Sequence, residues 1–124
     1  MNNKPVSPKV HGLIDYALVG SLLLFPRLFR FNKKVVKLYT VEALTLLGYI
    51  AFTDHPTAVK PVIPFLVHGK IDPFNVAQFA GQTFFKAFRR DKKAQVFNIL
   101  FTLAAGAVVA LTDWNGPTKT HPAA

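Results

Sequence analysis

An internal repeat constrains what this chain can fold into more than any other feature of its sequence. The motif His-Gly-x-Ile-Asp begins at His11 and again at His68, an offset of 57 residues. A Thr-Asp pair at Thr53 recurs at Thr112, an offset of 59. Such self-similarity predicts two copies of one structural unit, which together bury a core that neither copy could bury alone.

Each copy contains two long apolar segments, and the chain as a whole is 51% hydrophobic and only 17% charged. The segments predicted to be helices are residues 13–25 (extendable to 31), 35–53, 74–88 and 96–114. A helix of about 20 apolar residues crosses a hydrocarbon core of about 30 Å. A soluble bundle would need polar residues over about half of each helix surface, and the second and fourth segments lack them.

The sequence therefore predicts an all-α integral membrane four-helix bundle, made of two tandem two-helix repeats. Repeat 1 is placed at about residues 10–55 and repeat 2 at about 67–114, within a single membrane domain covering 1–124. Because two helices separate the copies, both copies run in the same direction, and a parallel pseudo-two-fold axis along the membrane normal relates them. The proline-rich stretch 54–67 is predicted to be an extended or interfacial connector.

The positive charge is concentrated in two loops, and it dominates a formal net charge of +9. The basic residues of these loops are Arg27, Arg30, Lys33, Lys34, Lys37, Lys86, Arg89, Arg90, Lys92 and Lys93. This placement is typical of cytoplasmic loops, and it argues against nucleic-acid binding, which needs a basic surface along the phosphates. We therefore predict a multi-pass transmembrane protein of the bacterial inner membrane, with the lipid bilayer as its partner. The basic loops are predicted to be cytoplasmic and both termini outside.

The motif Asp15-Tyr16-x-x-x-Gly20-x-Leu22-Leu23-Leu24-Phe25-Pro26, followed by a second apolar segment, resembles the small bacterial SPW-repeat membrane proteins. The unit of that family is also two helices with an early acidic residue and a late proline. Phe25-Pro26-Arg27 stands where the family has Ser-Pro-Trp. The family is largely uncharacterised, so the resemblance implies a four-helix membrane topology and no particular activity.

Six ionisable residues recur in the two copies and are predicted to lie near the same membrane face. They are His11, Asp15, Asp54, His68, Asp72 and Asp113. Within a helix, residues four positions apart lie on the same side, so each motif histidine reaches the aspartate that follows it. The Thr-Asp ends of the second and fourth helices arrive at the same level. The pattern predicts a cluster of two imidazoles and four carboxylates.

Several interpretations of this cluster stay open at the level of sequence. We favour a structural one without any cofactor, in which each histidine hydrogen-bonds to the Thr-Asp end of a neighbouring helix and sets its register. A divalent metal is the first alternative, because imidazole and carboxylate are ligands for Zn, Mn or Fe. A proton or small-ion relay is the second. Bis-histidine ligation of haem by His11 and His68 is the third.

Glu42 is the one acidic residue well inside a predicted span, and it defines a separate candidate site. We favour a structural role, in which this carboxylate reaches the cytoplasmic interface or accepts a hydrogen bond from Gln82, Asn98 or Gln95. The alternative is a role in carrying a small ion or solute. His55 and His121 are each followed by proline, and both are predicted to be solvated.

Small residues of the fourth helix, at 104–107 and 110, allow another helix to approach closely, which predicts a homo-oligomer or a place in a larger membrane complex. The chain is too small for a substrate cavity of ordinary size, so we do not expect an enzyme. The predicted function is that of a small multi-pass membrane protein with a structural or accessory role. A metal- or haem-binding membrane protein and a small ion or solute carrier are the alternatives.

Overall fold

A computed structural model describes residues 4–123 of the chain. The described residues form five α-helices: α1 (Pro8–Leu28), α2 (Lys33–Ala51), α3 (Phe65–Gln82), α4 (Lys86–Arg89) and α5 (Lys92–Leu111). Residues 1–3 and 124 of the predicted domain lie outside the part that the structure describes. In the described range, the two repeats of the sequence correspond to α1 with α2, and to α3 and α4 with α5.

Polar residues just before the helices determine where they begin. Ser7 caps α1, and Asn32 caps α2 by accepting a hydrogen bond from the Val35 backbone N–H at 3.0 Å. Asp91, 59 residues after Asn32, caps α5 by accepting from the Ala94 N–H at 3.3 Å. The second oxygen of Asp91 accepts from the Asn32 backbone N–H at 2.8 Å. This one carboxylate therefore ties the two basic loops to each other.

The helices pack as two hairpins, α1 against α2 and α3 against α5. The hydrophobic core lies between them, and its fully or almost fully buried side chains include Leu22, Val35, Tyr39, Phe79 and Phe88. Removing such side chains from water contributes roughly 1.5–3 kcal/mol each, which offsets the loss of chain entropy on folding. The core thus holds the two hairpins in a fixed relation, on which the geometry of the site depends.

Short backbone contacts connect the start of each repeat to the end of the other. Val6, just before α1, pairs with Thr112, just after α5. At the equivalent positions, Ile63 precedes α3 and pairs with Thr53, which follows α2. These contacts bring each Thr-Asp end beside a helix that carries a motif histidine.

The third helix begins earlier than the sequence pattern indicated. We expected it at 74–88, starting after Pro73, but α3 spans Phe65–Gln82 and Pro73 lies in its interior. Pro64 occupies the position before the helix, with an extended ψ of 141°, and it needs no N–H donor there. The longer helix makes His68 the fourth residue of α3, just as His11 is the fourth residue of α1.

The prediction of a four-helix integral membrane bundle is wrong. Within residues 4–123, one helix of the five, α5, is long and apolar enough to cross a membrane, with a mean hydropathy of 1.9 over its most apolar stretch. Length and composition of a single helix are weak evidence, because the core helix of a soluble protein can pass the same test. The other long helices are interrupted by charged side chains such as Asp15, Glu42 and Asp72.

The same finding overturns the expectations that followed from the bundle. A multi-pass transmembrane protein needs several spanning helices, and the described chain offers one candidate. The assignment to the bacterial inner membrane, with both termini outside and the basic loops cytoplasmic, depended on several spanning helices and is therefore wrong as well. The physical reason is that the apolar segments of the sequence carry ionisable side chains that point into the protein interior.

The glycines of the two His-Gly pairs let aromatic rings pack directly against α1 and α3. A Cβ atom at Gly12 would lie 2.5 Å from Nδ1 of His55, and one at Gly69 would lie 2.7 Å from the ring of Trp114. The two rings occupy equivalent positions, 59 residues apart. Only glycine permits this close approach, so the motif owes its second residue to packing.

We expect Gly12→Ala to lower the free energy of unfolding by about 1–2 kcal/mol, because overpacking against the His55 ring outweighs the better helix propensity of alanine. The control is Gly20→Ala in the same helix, where a Cβ would meet nothing within 4 Å. That change should stabilise the protein by about 0.5–1 kcal/mol. Urea denaturation of the three proteins measures both effects. Equal stabilisation by the two substitutions would contradict the close packing at Gly12.

Candidate metal centre

The two motif histidines and the two aspartates that follow them come together between α1 and α3. Nε2 of His11 lies 3.0 Å from a carboxylate oxygen of Asp15 and 3.3 Å from one of Asp72. Nε2 of His68 lies 3.3 Å from Asp15 and 3.2 Å from Asp72. One ligand atom from each of the four residues can be chosen so that all lie within 4.8 Å of one another. Each imidazole thus faces both carboxylates, one from its own helix and one from the other.

The opposite nitrogen of each imidazole is held by a threonine of the other repeat. Nδ1 of His11 lies 2.8 Å from Oγ1 of Thr112, and Nδ1 of His68 lies 2.7 Å from Oγ1 of Thr53. The structural interpretation of the sequence predicted hydrogen bonds from the histidines to the Thr-Asp ends, and the threonine half of that prediction is confirmed.

These threonines also determine which nitrogen carries a hydrogen. Thr53 donates its hydroxyl to the Tyr49 carbonyl oxygen at 2.7 Å, and Thr112 donates to the Val108 carbonyl oxygen. A hydroxyl has a single hydrogen, so each threonine oxygen can only accept from the imidazole. Nδ1 is therefore protonated in both histidines, and in the neutral imidazole Nε2 bears a lone pair.

Both Nε2 atoms are buried and lack a well-directed hydrogen bond. His11 and His68 are each 1% exposed, and neither Nε2 makes a hydrogen bond of acceptable geometry, although carboxylate oxygens lie close by. A lone pair directed at an ionised oxygen is repulsive, and a buried polar atom without a partner costs roughly 1–3 kcal/mol. The arrangement calls for a cation between the nitrogens and the oxygens, either a proton or a metal ion.

Aromatic side chains surround the cluster and limit the access of water. Tyr49 stacks on His68 with ring centroids 4.1 Å apart and an interplanar angle of 8°. Its hydroxyl donates to Oδ1 of Asp72 at 3.0 Å. Trp114 and Phe65 contact the His11 ring, with centroids at 4.9 and 5.5 Å. Sequence analysis missed Tyr49 and Phe65 because neither has a counterpart of the same type in the other repeat.

The imidazoles and carboxylates of the cluster stabilise each other's charged forms. Burial by itself lowers the pKa of His11, but the carboxylates of Asp15 and Asp72, 3.0 and 3.3 Å from Nε2, outweigh burial and raise that pKa to about 9. The pKa of His68 is raised for the same reasons. Burial raises the pKa of Asp72, yet the two imidazoles hold it at about 2. Without a metal ion, the cluster is therefore a set of ion pairs between imidazolium and carboxylate groups.

Asp54 and Asp113, which we also expected in the cluster, lie elsewhere. Asp54 is buried and accepts hydrogen bonds from the C-terminal stretch, including the Thr118 hydroxyl at 2.9 Å and the Thr120 backbone N–H at 3.1 Å. Asp113 accepts from the Asn115 backbone N–H at 3.0 Å in a turn. Both carboxylates follow the threonine in sequence and point away from it, so the threonine alone reaches each histidine. The prediction of four carboxylates in one cluster is wrong for this reason.

His55 is not solvated as expected. It is 1% exposed, packs on Gly12, and pairs its Nε2 with the Ile50 carbonyl oxygen at 2.8 Å. The Thr57 hydroxyl forms a hydrogen bond with Nδ1 of His55 at 3.0 Å. With both nitrogens satisfied, His55 supports the fold and is not a candidate ligand. His121, by contrast, has a side chain that is 87% exposed.

Glu42 belongs to a second buried polar group, which is separate from the His-Asp cluster. Its oxygens accept from Gln78 at 3.1 Å and from Gln82 at 3.3 Å. Gln82 also donates to Asn98, which accepts from the Tyr39 hydroxyl at 2.8 Å. Burial raises the pKa of Glu42 to about 7, and the two glutamine amides offset only part of that effect. No cation faces this carboxylate among the residues for which the structure gives contacts.

No protein family, curated protein or solved structure matches this chain. The resemblance to SPW-repeat membrane proteins therefore stays a prediction. What the chain can do has to be argued from the geometry of its own residues.

The raised pKa of Glu42 predicts how stability depends on pH. The folded state binds this proton more tightly than the unfolded state, whose pKa is near 4.5, so the stabilisation is complete below pH 4.5 and is lost as the pH rises through about 7. Between pH 4.5 and 8 the wild-type protein should lose on the order of 2–3 kcal/mol more stability than Glu42→Gln. Glu42 is the only glutamate in the chain, so the difference between the two denaturation series isolates it. Parallel series for both proteins would contradict the raised pKa.

Proposed function

We propose that this protein binds one divalent transition-metal ion, with His11, His68, Asp15 and Asp72 as ligands. The observation that carries the proposal is the pair of buried Nε2 atoms that face the two carboxylates without a well-directed hydrogen bond. Threonine holds the other nitrogen of each ring, which is the usual way in which proteins orient a histidine ligand and select its tautomer.

The distances between the prospective ligand atoms suit such an ion. In a tetrahedral site with metal–ligand bonds of about 2.0–2.1 Å, neighbouring ligand atoms are separated by about 3.3 Å. The nitrogen–oxygen separations in this cluster are 3.0 to 3.3 Å, with Asp72 presenting a different oxygen to each histidine, and one ligand atom of each residue can be chosen so that all lie within 4.8 Å of one another. Ordinary ion pairs in proteins can have similar lengths, but they direct an N–H at the oxygen. The absence of that direction at His11 and His68 favours the metal.

Charge balance and ligand type narrow the choice of ion. Two carboxylates and two neutral imidazoles carry a charge of about −2, which a divalent cation cancels, and buried charge is tolerated only when it is compensated. Imidazole together with carboxylate suits Zn²⁺, Mn²⁺ and Fe²⁺. Calcium and magnesium prefer sites made of oxygen alone, so they are poorer candidates.

Haem does not suit this geometry. A bis-histidine haem needs open space between the imidazoles for the macrocycle. Here Asp15 and Asp72 each lie within 3.3 Å of both Nε2 atoms and occupy that space. The same four residues can therefore hold a bare ion but not a haem group.

A structural role without metal is the second candidate, and the raised pKa of His11 favours it. In that case protonated imidazoles and carboxylates join the two hairpins, and the protein serves as an accessory component for a partner. The two candidates differ in the cation that occupies the cluster, which an elemental analysis can decide.

Protein purified without chelators, or reloaded with Zn²⁺, Mn²⁺ or Fe²⁺, should contain about one metal ion per chain. Asp72→Asn should lose most of it, because the amide keeps the size of the side chain but removes its charge. The control is Asp113→Asn, an equally conservative change at an aspartate outside the cluster, which should retain the metal. Plasma mass spectrometry and circular dichroism measure content and fold. Folded wild-type protein that takes up none of the three ions would refute the metal proposal. The structural role, in which ion pairs join the two hairpins, would then remain.

Thr53→Val tests whether the threonine orients His68. Valine has the same shape but cannot accept the Nδ1 hydrogen, so metal affinity should fall by about 10–100-fold, as for other partners of histidine ligands. The control is Thr45→Val within α2, the helix that precedes Thr53, because Thr45 makes only the intrahelical bond to the Val41 carbonyl oxygen. Competition with a chromogenic chelator measures the affinities. An equal effect of the two substitutions would mean that the hydroxyl matters to the helix rather than to the ligand.

A further inference from the structure

The two halves of the metal centre are not equivalent, although the sequence repeats. On one side, Tyr49 stacks on His68 and fills the space beside it. The residue 59 positions later, where the repeat would place a second ring, is Val108. A cavity of about 60 Å³ borders His11, and both Val108 and Tyr49 line it. The loss of one ring from the repeat thus coincides with an open space next to one ligand.

The cavity reaches the ligands directly. His11, Asp15 and Asp72 line it, while His68 does not, so the space opens on the face of the ligand set formed by those three residues. The rest of its wall is mainly apolar, with Val19, Phe79, Phe101 and Val108, and its other polar residues are Tyr49 and Asn75. A molecule in this cavity would therefore touch the ion on one side and hydrocarbon on the other.

Size and polarity define what the cavity accepts. A single water needs roughly 10–15 Å³ of such volume, and an apolar cavity of about 150 Å³ holds benzene. A space of about 60 Å³ therefore suits a molecule of two or three heavy atoms. An ion would lose its hydration against the apolar wall without compensation, so a neutral molecule is favoured.

We propose that this cavity delivers a small neutral molecule of the diatomic class, such as dioxygen or nitric oxide, to an open coordination position of the bound metal ion. The inference rests on the proposed metal centre and names the class of external molecule that would bind to the metal ion. Four protein ligands leave positions free when the ion is one that takes five or six, as Fe²⁺ and Mn²⁺ do. The three ligand residues that line the cavity place such a position at its mouth.

The probe is nitric oxide, added without oxygen to the protein loaded with Fe²⁺. We expect an iron–nitrosyl complex in the wild type, detected by visible absorption and electron paramagnetic resonance, with about one nitric oxide per iron. Val108→Phe should restore a ring where Tyr49 has one in the first repeat and should fill the cavity. It should keep the iron and weaken nitric oxide binding at least about tenfold, since the ligand would now have to displace a packed side chain.

The control is Ala107→Phe, the same new side chain at the neighbouring exposed position, which should bind nitric oxide like the wild type. If the protein takes up no iron, the metal centre and this inference fail together. If iron binds but nitric oxide does not, the inference alone is overturned. Unchanged nitric oxide affinity in Val108→Phe, with iron retained, would also overturn it, because the ligand would then reach the metal by another route.

Discussion

The hydrogen bond between each buried imidazole and a threonine of the other repeat is the constraint on which the rest of the structure depends. His11 reaches Thr112 and His68 reaches Thr53, so each bond joins the start of one repeat to the end of the other. Because the threonine hydrogen is committed to its own helix, the bond also determines the tautomer of each ring. One interaction therefore sets the register of the hairpins and directs two lone pairs at a common point.

Burying such a cluster is costly unless its charges are compensated, and the surroundings are built to compensate them. The cluster is neutral with two imidazolium groups, and it is equally neutral with two imidazoles and one divalent ion. With two protons in the place of the ion, the charges of the cluster are already compensated. In the proposed function, metal binding would exchange these protons for the cation, as at other histidine sites. Tyr49 packs on His68 and Trp114 on His11, which limits the access of water to the cluster.

Departures from the repeat are as informative as the repeat itself. Tyr49 is replaced by Val108 in the second copy, and Glu42 is replaced by Phe101. The first replacement accompanies the cavity beside His11, and Phe101 forms part of that cavity's wall. In the first copy, the second replaced residue, Glu42, forms a buried polar group with Gln78 and Gln82. A symmetric scaffold thus carries an asymmetric interior, in which one ligand histidine is covered and the other borders open space.

The sequence by itself determined the helical repeat, the His-Asp pairing within each motif and the Thr-Asp ends as the place where each histidine finds a partner. These follow from local spacing, since residues four apart share a helix face and equal offsets imply equal positions. Apolar content led to a wrong prediction of membrane spans, because composition does not say whether charged side chains face each other across an interior. Only the tertiary structure decided that Asp15 and Asp72 converge while Asp54 and Asp113 turn away, since that choice depends on the directions in which the connecting chain leaves α2 and α5.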